Sequence, residues 1–401
     1  MRELDRRFKE TLEQLAPVTV LMELLRTKLA EEDAPLTENE LAELAARLLR
    51  SEDGIVDIEL STGEFPGLSL EFGQSDLEFI DRASDEFLGT VQQLVGDIAE
   101  ELADEVDATP RGIWPGHRSE DNQRQTAFEA RVRAEWGDVL VHLEELRYVA
   151  TEFGEAVFED DDELDAAGSL LARLHARGCQ IAYEVIALCA GGFADGAMAR
   201  WRTLHEVAVV AFLIADGGDD LAERYVAHEV VESWRAARDY SACAAKLGYE
   251  PLGEMKLEEL QDRRRSLLAL YGKEFDGQYG WAAKHLGAQR PTFRDLEEAT
   301  ELEHLRAHYR MASHNVHANP KGVFFKLGLL AEDEFLLAGP SGFGLAEPLQ
   351  SAGISLLQVS AAPLKLFSTL DNIVILKIMS RILDRLLAAV ASRTDEAESR
   401  R

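Results

Sequence analysis

A chain of 401 residues with 74 Asp and Glu against 42 Lys and Arg has a net charge of -32, and its 46% hydrophobic content leaves ample material for a core. Single cores rarely grow beyond roughly 250–300 residues, so two domains are expected. Cys179, Cys189 and Cys243 show no C-x-x-C spacing, which excludes a disulfide framework and a zinc knuckle and points to buried thiols in a reducing cytoplasm.

In chain order, residues 1–30 read as an amphipathic helix whose charged start lacks the apolar core of a signal peptide. No apolar run approaches the ~18–20 residues of a membrane span, so a soluble, cytoplasmic protein without membrane contact is expected. Thr37 and Glu40 stand in capping-box spacing and open a second helix near Glu38. "GIVDIELSTGEFPGLSLEFG" reads as a strand pair or a loop, and "SDLEFIDRASDEFLGTVQQLVGDIAEEL" returns to helical periodicity. Prolines and glycines mark residues 108–123 as a linker. The division is therefore an acidic helical domain over 1–107 and a helical bundle over 124–401.

The bundle opens with a long helix, about Arg124–Phe153, closed by the acid run 159–165. That run lacks the sixth-position glycine and closing glutamate of a calcium loop and reads as a solvated turn. Helices follow from Ala166 to a Gly191-Gly192 stop, through the apolar "ARWRTLHEVAVVAFLIAD", and on through "DDLAERYVAHEVVESW" and "KLEELQDRRRSLLALYG". Pro291 and Thr292 lead into another that ends near His314. Two apolar runs around "AEDE" predict a small β-hairpin near 323–338, and Pro363 bends or breaks a last helix over about 354–392. The fold class is mainly α, a multi-helix bundle with one hairpin.

Charge is unevenly spread. Residues 1–168 hold 43 acids and 15 bases, a net of -28, while 169–401 hold 31 and 27, a net of -4. Repulsion of nucleic acid is thus confined to the N-terminal part, whose acidity suits a solubilising surface or a basic partner protein.

Reactive side chains concentrate in "HLRAHYRMASHNVHANPKG", which holds four of the ten histidines. His304 and His308 form an i, i+4 pair that zinc would need, but no further ligand stands nearby. No metal and no cofactor is expected. Arg306, Arg310, His314 and His317 fall within about 80° of one another at ~100° per residue, beside a core stripe of Leu302, Leu305, Tyr309, Ala312 and Val316. Arg310 with His317 pairs a fixed positive charge with a group that titrates near neutrality, a combination that suits metal-free phosphodiester cleavage. Spacing alone favours two residues on a solvated face, with His317 capping the helix end, because an Arg followed by a His at this distance is common by chance. Arg202 and Glu206, i, i+4 on the helix that becomes apolar all round, need partners there or form a plain intrahelical pair.

"ARWRTLHEVAVVAFLIA", "RYVAHE" and "YRMASHNVHANPKG" together resemble the uncharacterised bacterial family named domain of unknown function 5677, over about 166–370. Arg202, Leu204 and Glu206 carry that resemblance, with Ser313, His314 and His317. A looser similarity joins Arg310 and His317 to the Arg-x4–6-His signature of HEPN-type ribonuclease domains, although Met311 stands where those domains have Asn, His or Asp. That similarity implies a metal-independent ribonuclease acting as a toxin or anti-phage effector, with RNA as substrate and a homodimer as assembly. Arg310, His317 and His314 would be catalytic, with Arg306, Arg202 and Glu206 in support. The alternative is a non-catalytic interaction protein whose acidic N-terminal region binds a basic partner.

Overall fold

Helical spacing of apolar residues governs the architecture throughout. The computed structural model describes residues 18–30, 36–48, 50–51, scattered positions between 82 and 104, 110–159, 164–329 and 336–399. Every regular element among these residues is helical. The chain divides into two units, Met1–Ser119 and Glu120–Arg401.

In the first unit, α1 (18–30) and α2 (Glu38–Leu48) bury Leu25, Leu29, Leu41 and Ala45 against each other. The capping box forms as its spacing predicts. The Glu40 carboxylate accepts the Thr37 backbone N–H at 2.8 Å, and Thr37 Oγ1 accepts the Glu40 N–H at 3.4 Å. The strand pair or loop expected over "GIVDIELSTGEFPGLSLEFG" lies outside the described residues, as does most of the helix expected after it.

α3 (Pro110–Glu159) begins earlier than expected, so residues 110–123 of the expected linker are helical, and the boundary between the two units falls among them. Pro110 is compatible with this, because the first helical position has no intrahelical use for its N–H. α4 (Ala166–Ala190) starts at Asp165, whose carboxylate accepts the Gly168 N–H at 2.6 Å, and Asp219 accepts the Ala167 N–H at 2.9 Å. One end of the acid run thus serves as a cap, and residues 160–163 lie outside the described residues. α5 (Ala194–Cys243) is broken at Gly218 (φ 59°, ψ -153°), a backbone conformation open to glycine, which separates its apolar half from its polar half.

α6 (Glu254–Tyr271), α7 (Phe293–Ala299), α8 (Arg306–Val316), α9 (Pro320–Phe324), α10 (Ala346–Ala361) and α11 (Leu370–Ser399) follow, with a one-turn helix, Ala283–Leu286, between α6 and α7. The first half of α5 is the centre of the core: Trp201, Leu204, Ala208, Ala211 and Ile214 are fully buried or nearly so. α4, α8 and α10 pack around it, and the indole N–H of Trp201 donates to Ser355 Oγ at 3.0 Å. Pro363 sits in a tight turn, Ala362–Lys365, that separates α10 from α11.

The described residues of the span 323–338 do not form the expected hairpin, and residues 330–335 lie outside them. Residues 320–324 form the short helix α9, 325–329 are turn, and no strand occurs among the described residues. Asn319 overrides the apolar pattern: its side chain caps α9 by accepting the Gly322 N–H at 2.8 Å, with Pro320 at the first helical position. Cys179 and Cys189 are buried, but Cys243, at the end of α5, is exposed. No helix of the described residues is long and apolar enough to cross a membrane.

Candidate functional site

Two polar networks fasten α8 to the core. The first centres on Glu297, which helix phase places on the same face of α7 as Phe293 and Leu296 and which is fully buried. His205 Nε2 lies 2.9 Å from Glu297 Oε1, and the Arg306 guanidinium pairs with Oε2. The His205 ring stacks on Trp201 and meets Phe293 edge-on, with centroids 5.7 and 6.0 Å apart. Nε2 faces the Glu297 carboxylate, and Nδ1 is buried with no hydrogen-bond partner among the described residues.

The second network joins Arg202, Glu206 and Tyr309. The Tyr309 hydroxyl donates to Glu206 Oε1 at 2.6 Å and accepts from Arg202 Nη2 at 2.6 Å, while Arg202 and Glu206 also pair directly at 3.0 Å. The guanidinium stands 4.6 Å from the Tyr309 ring centre, a cation–π distance. Burial, reinforced by the hydrogen bond to Glu206, pushes the Tyr309 hydroxyl well above the usual tyrosine range. Arg202 and Glu206 therefore form the intrahelical pair and share a third partner from α8.

Beyond these anchors the cluster opens to solvent. Arg310 is exposed, and its side chain makes no hydrogen bond or ion pair among the described residues. α8 ends at Val316, and His317 stands past it in extended backbone (φ -111°, ψ 140°), also exposed. The face expected to hold Arg306, Arg310, His314 and His317 thus loses its last member, and Arg306 is committed to Glu297.

His314 is held differently. Asn319 Oδ1 accepts from the Gly322 backbone N–H, which fixes the amide so that Nδ2 donates to His314 Nδ1 at 2.9 Å. The imidazole hydrogen is consequently on Nε2, available as a donor. The turn is tight: a Cβ on Gly322 would fall 2.0 Å from the His314 carbonyl oxygen.

His304 and His308 separate. His304 lies in a helical turn before α8 near the Glu301 carbonyl, at 3.3 Å, and His308 pairs with Glu347 at 3.2 Å. The described residues bring no three His, Cys, Asp or Glu side chains into a group that could hold a metal ion.

Around this corner, residues 304–330 include Arg306, Arg310, Lys321, Lys326 and four histidines without a single Asp or Glu. Phe324 beside them is 88% exposed. Glu297, Tyr309 and Asn319 were not singled out by motif. The signal for Glu297 was its phase with Phe293 and Leu296, and for Asn319 its position before Pro320.

Residues 168–335 match the model of a family of unknown function, DUF5677, which bears out the family resemblance, expected over about 166–370, as far as residue 335. No curated protein and no solved structure matches the chain.

Proposed function

We propose that the DUF5677 region of this chain is a metal-independent ribonuclease of the HEPN-like type, with the corner between α8 and α9 as its RNA-contacting surface. The observation that carries the reading is the stretch 304–330, which holds four Lys or Arg and four His but no carboxylate in a chain with 74 acids. Arg306 and His308 pair with Glu297 and Glu347, so Arg310, Lys321 and Lys326 are the cations left to neutralise phosphate, and the exposed Phe324 beside them offers a base a stacking face. Arg310, free of any described carboxylate partner, binds the scissile phosphate. His317 takes the ribose 2′-OH proton as O2′ attacks phosphorus. The P–O5′ bond breaks, a 2′,3′-cyclic phosphate forms, and O5′ takes a proton from a solvent water. His314, with its hydrogen held on Nε2, donates to a non-bridging oxygen.

Arg306, Arg202 and Glu206 act indirectly in this scheme, as the anchors of α8. Incubation of the protein with a labelled single-stranded RNA in EDTA is expected to give fragments with cyclic phosphate ends. The Arg310→Ala/His317→Ala double variant is expected to give none. Equal cleavage by both proteins, or none by either, rejects the reading.

A second reading, a non-catalytic interaction protein, is favoured by the exposure of both Arg310 and His317. Its partner would be a basic protein held by the acidic N-terminal region, residues 1–168. Recovery of such a partner only when residues 1–168 are present, with no RNA cleavage, would select it.

A further inference from the structure

A different face of the second unit carries an apolar stripe with no function in the scheme above. On α11, Leu370, Ile373, Val374 and Ile378 are 77%, 42%, 49% and 44% exposed. Their i, i+3, i+4, i+8 spacing is that of a helix face buried against another element. Beside it a cavity of about 280 Å³ runs between α5, α10 and α11, lined by Phe212, Leu357, Ile373 and Leu376. The apolar surface therefore continues from the helix into a groove.

Two of the three charges on this face, Asp371 and Arg381, complement one another only in one orientation, while Lys377 lies close to the centre of the stripe. Asp371 near the start of α11, and Lys377 and Arg381 further along, are exposed and form no ion pair among the described residues. A second α11 laid parallel would set Asp371 against Asp371 and Arg381 against Arg381. An antiparallel one, related by a two-fold axis at residue 376, sets Asp371 against Arg381 twice and Val374 against Ile378 twice. Such a self-complementary patch is what an isologous contact requires.

We propose that a second copy of this chain covers this face, with the two α11 helices packed antiparallel. The contact is independent of the ribonuclease reading, because none of its residues belongs to the corner between α8 and α9. Sedimentation velocity on the full chain over a concentration series is expected to show a monomer–dimer equilibrium. The Val374→Glu/Ile378→Glu variant is expected to stay monomeric, with a helical circular dichroism spectrum that shows the fold intact. Asp371→Arg and Arg381→Asp, each alone, are expected to weaken the dimer by at least ~10-fold through like-charge contacts, and the combined swap to restore it. A monomer at every concentration overturns the proposal and leaves the face to a different protein. A dimer that survives Val374→Glu/Ile378→Glu, or single charge variants without effect, or a swap without recovery, overturns it as well.

Discussion

Glu297 shows how one buried side chain decides where α8 lies. With no exposure to water, it is tolerable only because His205 and Arg306 both reach it. Glu297→Ala strands an imidazole N–H in the core and frees a partly buried guanidinium, so a loss of about 3–5 kcal/mol is expected in urea denaturation. Tyr309→Phe deletes one hydroxyl between groups that still pair with each other, and about 1–2 kcal/mol is expected. Arg310→Ala, at an exposed position without a partner, should move stability by less than about 0.5 kcal/mol. A reversed order among the three would contradict the anchoring roles. The sequence made Arg202 and Glu206 legible because a charged pair entering an apolar helix needs partners. It could not name Tyr309 as that partner, because the tyrosine also fits the core stripe and only the packing of α8 on α5 brings its hydroxyl to Glu206.

His175 supplies a second prediction at the same scale. It lies buried in α4 with Nε2 3.0 Å from Ser360 Oγ, and desolvation pushes its pKa down to about 4. In the unfolded chain it titrates near 6.5, so between those values the unfolded state holds more protons. Stability contributed by the neutral ring is complete above pH 6.5 and is lost as pH falls toward 4. The slope is about 1.4 kcal/mol per pH unit, or roughly 2 kcal/mol between pH 6.5 and 5. His228, also lowered by burial, adds in the same sense. His175→Asn should flatten the profile of urea midpoint against pH in that window. An unchanged slope would mean that the ring titrates as it does in water.

Among the elements, the corner between α8 and α9 depends on one glycine. Gly322 sits where a Cβ would meet the His314 carbonyl oxygen at 2.0 Å, a contact that only backbone movement relieves. Gly322→Ala is therefore expected to open the turn, break the Asn319 bonds to His314 and Gly322, and weaken RNA binding by fluorescence anisotropy. The helical content should stay near that of the parent, since α9 has only five residues. Full RNA affinity in this variant would detach the corner from the binding surface. The same corner explains why a strand was expected at 323–324 and a short helix occurs there. Apolar runs of four or five residues fit a strand or a short helix equally, and the local cap decides between them. Long helices were legible because periodicity accumulates over many turns. The stop at Pro363 was legible as proline punctuation, whereas the break at Gly218 shows only in the backbone, between two segments read as separate helices.

For the whole molecule the charge distribution sets how a polyanion approaches. Residues 1–119 hold 28 acids and 11 bases, a net of -17, so a chain beginning at Glu120 has a net charge of -15 in place of -32. Glu120–Arg401 is a unit with its own core, and the basic corner belongs to it. Repulsion between the N-terminal acids and RNA acts through solvent over about 10 Å at 0.1 M salt and only about 3 Å at 1 M. Deletion of residues 1–119 is therefore expected to tighten RNA binding at low salt, chiefly through a faster association rate. On the ribonuclease reading the two proteins should converge as salt rises, because both would use the same few phosphate contacts and share one slope of log affinity against log salt once the long-range field is screened. Anisotropy titrations across a salt series separate the cases. Equal affinity at low salt would show that the acidic region does not oppose RNA, and would return its charge to the role of solubilising surface or partner site.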